Sequence, residues 1–387
     1  MVLRDCNSIW LLFQIILALF FMAAAWKPIS NHLNIYPQLL KRPICLSNHL
    51  IFIPRKVNMK KIRWGVISTA NIATGKVIPA FQKSNYGEVV AIASRKPDAA
   101  SKVATELNIE HAYGSYQDLL DDPNVDAIYI PLPNHLHVPW SIKALKAGKH
   151  VLCEKPISLT STEAIELHEV AKQRPHLKLM EAFMYRFHPQ WQKAKQLVDE
   201  GAIGDLKTIH SHFSYYNDDP NNIRNKPEIG GGGLMDVGCY CISIARFIFG
   251  EEPRKVSSVF DLDPDLGTDR MASGMMQFSK GTATFTCSTQ LMPYQRANII
   301  GSNGRIEIEI PFNAPPDKKT RLHIFTNNKI EEVVFDVVDQ YTLQCDAFCK
   351  AILDNTEVPT PFEDAINNMK VIEAIFKAAK EESWVRL

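Results

Sequence analysis

The chain has 387 residues, of which 46% are hydrophobic and 22% charged, with 43 Lys and Arg side chains against 42 Asp and Glu. These proportions are typical of a folded globular protein and exclude the fibrous and low-complexity classes. The formal net charge of +1 gives no electrostatic basis for binding nucleic acid, which usually requires a basic domain or stripe.

The first 58 residues differ from the rest, because they hold six basic side chains and one acid. The run 9–26 is apolar except for Gln14 and is long enough for a membrane helix, and Ala23 to Ala25 could serve as a signal-peptidase site. Met59, however, stands directly before the first strand pattern, as a natural start would. We predict that residues 1–58 are upstream or disordered sequence and that the protein is cytoplasmic. A membrane anchor or an exported protein is the alternative.

Short apolar strands alternate with helical patterns from residue 61 to residue 181. The predicted strands are 61–68, 88–94, 126–131, 149–153 and 178–181, and the predicted helices are 72–83, 97–107, 135–147 and 160–172. Continuous apolar strands separated by helices are typical of a doubly wound parallel sheet. Residues 59–182 are therefore predicted to form a dinucleotide-binding domain.

The order of the predicted elements changes after residue 205, where strands follow one another with few helices between them. The predicted strands are 206–215, 255–260, 270–278, 282–289, 295–300 and 305–310, and the helices are 234–249, 341–353 and 362–380. This pattern predicts an open, mostly antiparallel sheet. We expect residues 183–387 to form an α+β domain for substrate binding and dimerisation, with helix 362–380 as a candidate for packing back on the first domain.

The first strand–helix junction, 65–73, lacks the glycines of a G-x-G-x-x-G motif and carries Ser68, Ala70 and Ala73 in their place. Small side chains still allow a pyrophosphate to approach the helix N-terminus. At the end of the second strand, Ser94 and Arg95 stand where NAD-preferring enzymes carry an acid. A hydroxyl and a cation favour a 2′-phosphate, and so NADP(H) over NAD(H). An ordinary βα turn and a solvated basic turn are the structural alternatives.

Two further motifs suggest catalysis. Glu154-Lys155-Pro156 follows a strand at the ligand-binding edge of the sheet, and a cis Lys-Pro bond would direct the lysine inward. Asp236 and Tyr240 follow a glycine run at i, i+4 on one helix face. A tyrosine beside an ammonium is expected to have a lowered pKa and to exchange a proton in carbonyl–alcohol interconversion. An exposed lysine and a core tyrosine are the alternatives.

Together with these elements, the segments 131–137, 181–189, 222–224 and 231–240 make the chain recognisable. It resembles the Gfo/Idh/MocA family of NAD(P)-dependent oxidoreductases over essentially all of residues 61–387. This family combines a Rossmann domain with a C-terminal α+β domain. Tyr240, where another branch carries His, resembles the branch of glucose–fructose oxidoreductase, dimeric dihydrodiol dehydrogenase and NADP-linked xylose dehydrogenase.

The resemblance implies roles for individual residues. Lys155, Asp236 and Tyr240 would be catalytic, and Tyr240 would also contact the substrate. The implied cofactor contacts are Ser68, Thr69, Ala70, Asn71, Ile72, Ser94, Arg95, Leu132, Pro133, Asn134, His137, Glu154, Lys155 and Arg224. Arg186 and His188 are candidate substrate contacts, or they cap and pack the helix that follows. We expect no metal site.

The expected activity is NADP(H)-dependent hydride transfer to or from a secondary or anomeric alcohol of a sugar or cyclic diol, as in aldose 1-dehydrogenases and dihydrodiol dehydrogenases. A keto-sugar reductase or a glucose–fructose oxidoreductase is the alternative, and a non-catalytic NADP(H)-binding sensor is an alternative of another class. Family members dimerise, so we expect a homodimer or a higher homo-oligomer through the C-terminal sheet. The membrane is a partner only if the run 9–26 is a genuine anchor.

Overall fold

The computed structural model describes residues 60–327 and 329–387, together with an antiparallel pair of short strands, Cys45–Leu46 and His49–Leu50. Residues 1–58 and 59–387 form separate units. The apolar run 9–26 and the expected start at Met59 lie outside the described residues.

The first domain is built on a six-stranded parallel sheet. Its strands are β1 (Ile62–Ile67), β2 (Gly87–Ala93), β3 (His111–Tyr113), β4 (Ala127–Ile130), β5 (His150–Cys153) and β6 (Leu179–Glu181), in the order β3-β2-β1-β4-β5-β6. Every pairing is parallel. The order reverses between β1 and β4, which creates the crevice where doubly wound sheets bind ligands. The predicted doubly wound sheet is confirmed.

Five helices cover this sheet. They are α1 (a π-helical turn Ala73–Val77 continued by Ile78–Phe81), α2 (Pro97–Leu107), α3 (Tyr116–Asp121), α4 (His137–Lys146) and α5 (Ser161–Lys172). The side chains of Ser115 and Thr160 cap α3 and α5 by accepting backbone N–H groups. The sequence patterns did not predict β3 and α3, because elements of three and six residues are too short to give a clear periodic signal.

The second domain contains a nine-stranded sheet. Its strands are β7 (Leu206–Tyr216), β8 (Lys255–Leu262), β9 (Asp269–Gln277), β10 (Thr282–Ser288), β11 (Gln290–Gly301), β12 (Gly304–Ile308), β13 (Thr320–Thr326), β14 (Lys329–Phe335) and β15 (Val385–Arg386). The order is β14-β13-β12-β11-β7-β10-β9-β8-β15, and only β7 and β10 pair in parallel. The predicted mostly antiparallel sheet is confirmed. The strand β13 and the edge strands β14 and β15 were missed, because polar residues interrupt their apolar pattern.

Four helices accompany the second sheet: α6 (Pro189–Asp199), α7 (a π-helical turn Leu234–Gly238 continued by Cys239–Phe249), α8 (Gln340–Leu353) and α9 (Phe362–Glu381). Within the described part of the chain, the stretch Pro227–Phe249 alone is long and apolar enough to cross a membrane, and it is 83% buried. Such burial is expected of a core helix.

The last two helices pack against the first domain. In α9, Glu373 accepts hydrogen bonds from the backbone N and the hydroxyl of Ser161 at 2.8 and 2.6 Å. In α8, Thr342 donates its hydroxyl to the carbonyl of Ala80 at 2.9 Å. The end of the chain therefore connects the two sheets and helps to hold the crevice between them. The six cysteines within residues 60–327 and 329–387 are free and buried.

Candidate active site

A cavity of about 1010 Å³ lies between the two domains, at the switch point of the first sheet. One wall, the first-domain wall, consists of Ala70, Asn71, Ile72, Lys76, Pro131, Leu132, Pro133, Asn134, His137, Glu154 and Lys155. The opposite wall, the second-domain wall, comes mainly from β7, β11, the start of α7 and the loop 217–231. The volume lies at the upper end of the range typical of small-molecule sites.

Lys155 reaches across this cavity from the end of β5. The peptide bond between Lys155 and Pro156 is cis. The Lys155 ammonium donates to the backbone carbonyl of Asp236 at 2.7 Å and to its carboxylate Oδ1 at 3.2 Å. Only 12% of the lysine side chain is exposed. The structure thus brings together Lys155 and Asp236, which the motifs predicted separately.

Asp236 has two other partners besides the lysine. Arg224 donates its Nε to Oδ2 at 3.0 Å, and the hydroxyl of Tyr215 donates to the same oxygen at 2.5 Å. Burial by itself would raise the pKa of Asp236, but the charges of Lys155 and Arg224 and the Tyr215 hydrogen bond outweigh it and hold the pKa well below its usual value. In turn, burial opposes the charge of Lys155, and the carboxylate more than compensates and raises its pKa. The pair is therefore charged at neutral pH.

Tyr240 borders the cavity, but its hydroxyl does not meet Lys155 or Asp236. The hydroxyl lies 3.5 Å from Sδ of Met184, and the Lys155 Nζ lies 5.0 Å from the centroid of the tyrosine ring. Burial raises the pKa of Tyr240 well above its usual value. The expected lowering of this pKa is wrong for the observed arrangement, because the ammonium faces the ring rather than the hydroxyl.

The turn after β1 has the backbone shape of a glycine-rich turn. Ser68 has φ of +96°, a conformation that glycine normally supplies. Ala70, Asn71 and Ile72 line the cavity at the start of α1, whereas Ser68 and Thr69 form the turn behind them. The small side chains of Ser68 and Ala70 and the position of a helix N-terminus at the cavity therefore fit a dinucleotide pyrophosphate.

The end of β2 lies beside this turn, because the Ser68 backbone N donates to the Ala93 carbonyl at 2.8 Å. Ser94 and Arg95 follow there, outside the cavity itself. Ser94 is buried and accepts the Lys96 backbone N–H at 3.2 Å, and Arg95 is exposed. The position carries no carboxylate and fits a 2′-phosphate lying outside the main cavity.

Four other predicted cofactor contacts line the cavity with Lys155. The Glu154 carboxylate accepts the Tyr129 hydroxyl at 2.6 Å, and burial raises its pKa. Asn134 lines the cavity and donates its amide to the Gly230 carbonyl of the opposite wall at 2.8 Å. Leu132 and Pro133 complete this part of the wall.

His137 has a different role from the predicted one. Its two ring nitrogens lie 2.7 Å from the Leu132 carbonyl and 2.8 Å from the Pro156 carbonyl, and 1% of the residue is exposed. Burial lowers its pKa to about 4. Because each ring nitrogen faces a backbone carbonyl inside the protein, the neutral ring donates to one of the two carbonyls, packs between the Leu132 and Lys155 loops and presents no nitrogen to a cofactor.

Arg186 and His188 do not line the cavity, and their prediction as substrate contacts is wrong. Arg186 is buried in an ion pair with Asp364 at 2.9 Å and donates to Ser243 at 2.9 Å. His188 caps α6 by accepting the Gln190 backbone N–H at 3.2 Å, and burial lowers its pKa to about 4. The alternative that these residues cap and pack the helix is the one observed.

Several residues of the second-domain wall were missed or left open by sequence reasoning. The polar loop contributes Asn217, Asp219, Asn221 and Asn222, and more distant segments contribute Tyr215, Gln295, Asn313 and Tyr341. The loop composition was a signal for the first group. Tyr215 and Gln295 gave none, because each is one residue in an ordinary strand pattern. Among the residues that the structure describes, no group of three His, Cys, Asp or Glu could hold a metal ion.

Comparison with known proteins agrees with this geometry. The family model for the NAD-binding Rossmann fold of an oxidoreductase family matches residues 62–183, and the GFO/IDH/MocA C-terminal domain matches residues 191–307. A D-xylose 1-dehydrogenase (NADP(+)) from Haloferax volcanii is 37% identical over 326 residues, which cover 84% of this chain and 99% of that protein. The mouse trans-1,2-dihydrobenzene-1,2-diol dehydrogenase is 35% identical over 255 residues, covering 64% of this chain and 74% of the mouse protein.

A solved structure shows the same architecture. A 3-ketoreductase from Actinomadura kijaniata, in complex with NADP and TDP-benzene, is 32% identical and superimposes with a TM-score of 0.78. The match covers 82% of this chain and 98% of the reductase. The two family models cover most of residues 62–307, and the D-xylose 1-dehydrogenase and the 3-ketoreductase each match more than 80% of the chain. Together with the cavity that Lys155 and Asp236 border, these similarities show that this chain belongs to the Gfo/Idh/MocA family and is an NAD(P)-dependent oxidoreductase.

Proposed function

We propose that this enzyme transfers hydride between NADP(H) and a secondary or anomeric alcohol of a sugar or cyclic diol. The observation that carries the proposal is the charged Lys155–Asp236 pair, which borders a cavity shared by a dinucleotide-type turn and a polar loop. The relatives that act on D-xylose and on a dihydrodiol support the same substrate class.

The first-domain wall would hold the cofactor, which supplies or accepts the hydride when bound. Ala70 to Ile72 would lie against the pyrophosphate, and Leu132 to Asn134 against the middle of the dinucleotide. Ser94 and Arg95 would bind the 2′-phosphate, and the absence of an acid at this strand end supports NADP(H) over NAD(H). The NADP bound to the similar ketoreductase supports the same preference.

Lys155 would bind the reacting oxygen. An ammonium held in a buried site stabilises the negative charge that develops on this oxygen in the transition state. Asp236 keeps the lysine charged and fixes its direction. Arg224 and Tyr215 in turn hold Asp236, so the four residues act as one preorganised group.

Tyr240 is the proposed proton carrier. Burial keeps its phenol protonated at neutral pH, which is the form needed to protonate an alkoxide during carbonyl reduction. Its observed partner, the thioether of Met184, is a weak acceptor, so a substrate oxygen can displace it at little cost. The high pKa also favours a second candidate function, a reductase of keto-sugars, for which the similar 3-ketoreductase is a precedent.

The test is a direct assay of the purified full-length protein. Aldoses and cyclic diols are offered with NADP⁺ or NAD⁺, keto-sugars are offered with NADPH, and absorbance at 340 nm is followed. We expect turnover with at least one sugar or cyclic diol and a lower KM for NADP⁺ than for NAD⁺. Absence of turnover in both directions, with NADPH binding confirmed by fluorescence, would contradict the proposed function.

We also propose that the second sheet forms a homodimer. Its helix-covered face includes Ser258, whose hydroxyl donates to Ile375 of α9. Val259, the next residue, faces the other side of the sheet and is 70% exposed. An uncovered apolar sheet face is unfavourable in water, and a second copy of the chain would cover it. Light scattering should give a dimer mass, and Val259→Lys should shift it toward the monomer.

A further inference from the structure

Gln295 lies on the same side of the second sheet as the catalytic group. It belongs to β11 and pairs directly with Phe213 of β7, and directly opposed residues of an antiparallel pair share a face. The ring centroid of Phe213 lies 5.7 Å from that of Tyr240. Tyr215, two residues along the strand and so on the same face, donates to Asp236. All of these residues border the cavity.

The orientation of the Gln295 amide is defined by its neighbours. Its Oε1 accepts the backbone N–H groups of Phe312 at 3.0 Å and Asn313 at 3.1 Å. Backbone N–H groups only donate, so the atom facing them must be the amide oxygen, and the NH₂ group must be at the other position. Phe312 is itself fixed, because its ring stacks on Phe213 at 4.8 Å and is fully buried.

The NH₂ group of Gln295 is therefore the free end of a fixed side chain. Within residues 60–327 and 329–387, Nε2 donates no hydrogen bond to the protein, and both side-chain hydrogen bonds of Gln295 are made by Oε1. The residue is half-buried and borders the cavity. A preorganised donor of this kind matches an oxygen atom on a bound molecule, and leaving it unpaired in a closed complex costs binding free energy.

We propose that Gln295 donates a hydrogen bond to a substrate hydroxyl other than the one that reacts. This inference rests on the proposed function, in which Lys155 and Tyr240 bind the reacting oxygen, and it narrows the substrate class. The site selects polyhydroxylated rings, such as aldoses and cyclic polyols, over monohydric alcohols. Sites that hydrogen-bond a substrate hydroxyl discriminate strongly against analogues that lack it.

The informative substitution is Gln295→Glu. A glutamate retains an oxygen for the Phe312 and Asn313 N–H groups and nearly the same size, but it has no N–H donors. For the sugar with the highest kcat/KM, we expect KM to rise about tenfold, the loss typical of one neutral hydrogen bond, with kcat within about twofold of the parent. Asn303→Asp is the control for the added charge, since Asn303 is exposed in the turn after β11 and does not line the cavity, and the change leaves the Gln295 donors in place.

Monodeoxy analogues of that sugar identify the hydroxyl. The parent enzyme should lose about tenfold in kcat/KM with one analogue, and Gln295→Glu should show no further loss with that same analogue. If parent and variant lose the same factor in kcat/KM with every analogue, the inference is wrong and the proposed function remains intact. The same holds if the parent enzyme turns over cyclohexanol as well as it does the polyols. No turnover of the parent with any substrate would overturn both. Unchanged thermal unfolding of the variant excludes misfolding as the cause.

Discussion

The two walls of the cavity are built in different ways. The first-domain wall presents backbone and small side chains at the ends of strands, as at Ala70, Asn71 and Pro133. The second-domain wall presents hydrogen-bonded side chains from separate elements, as in the contact of Tyr215 and Arg224 with Asp236. Lys155 extends from the first wall and joins the hydrogen-bond network of the second at Asp236.

This difference matches the two kinds of ligand. A dinucleotide presents phosphates and riboses, which backbone N–H groups and a helix end can bind without particular side chains. A sugar or diol presents hydroxyls in a specific arrangement, which only side chains held at fixed positions can recognise. We therefore expect members of this family to differ in substrate specificity through the residues of the second-domain wall, while the first-domain wall stays similar.

The largest effect is expected where the two walls meet. Lys155→Ala removes the ammonium that would bind the reacting oxygen, and we expect kcat to fall at least about 10²- to 10³-fold, as for loss of one preorganised donor. NADPH binding, measured by fluorescence, should persist, because the first wall is otherwise intact. Lys143→Ala on α4, where the ammonium lies over Trp140, is the control and should keep its activity. A Lys155→Ala enzyme with parental kcat would disprove the mechanism.

The second wall is tested by Tyr215→Phe, which removes the hydroxyl that donates to Asp236. A hydrogen bond to a charged group is worth about 1.5–3 kcal/mol, so kcat should fall about 10- to 100-fold. The pKa of Asp236 should rise, since one of the groups that lower it is lost. The acid limb of the pH–activity profile should therefore shift to higher pH, because a protonated Asp236 no longer pairs with Lys155.

Tyr216→Phe is the matched control for this variant. Tyr216 is 61% exposed and its hydroxyl contacts Asp218 at 3.3 Å. It should retain the parental kcat and pH profile. If both variants behave alike, Tyr215 has only a packing role and the second wall is less preorganised than proposed.

The first wall is tested at the end of β2. Arg95→Ala should raise KM for NADP⁺ about tenfold by removing a cation from the 2′-phosphate, while KM for NAD⁺ changes little. Lys102→Ala, an exposed lysine on α2, should change neither value. An equal rise of both KM values would show that Arg95 acts on the whole dinucleotide and not on the 2′-phosphate.

Behind each wall, a buried carboxyl group with a raised pKa accepts a backbone N–H group of a cavity-forming segment. Glu181 accepts the Ile157 backbone N–H beside the Lys155 loop, and Asp269 accepts that of Leu234 at the start of α7. Burial raises the pKa of Glu181 to about 8 and that of Asp269 to about 7. Their folded pKa values exceed the unfolded ones, so the folded state binds more protons, and stability is lost as pH rises from about 4 to about 8.

Thermal unfolding should therefore show a Tm lower at pH 9 than at pH 5, by about 5 °C. Glu181→Gln and Asp269→Asn should each reduce this difference. In the native pH range, the first should affect NADPH affinity more than the KM of the sugar, and the second should do the reverse. A Tm difference that neither variant changes would assign the pH dependence to other groups.

The sequence was informative where function depends on a short contiguous segment. The segment containing Lys155, the helix containing Asp236 and Tyr240, and the alternation of strands and helices all leave local patterns. The fold of both domains and the family followed from these patterns. Arg186 and His188 belong to such a segment as well, but α9 supplies Asp364 to the arginine and the histidine caps α6, so neither faces the cavity.

Only the tertiary structure decided how the catalytic group is assembled. Tyr215, Arg224 and Gln295 acquire their roles from strand register and from loops that bring them to Asp236 and the cavity. It also placed the Lys155 ammonium over the ring of Tyr240, so that burial dominates the pKa of this tyrosine. Motifs record residue identity and local spacing, whereas distances between side chains and loss of solvent depend on contacts between residues far apart in the chain.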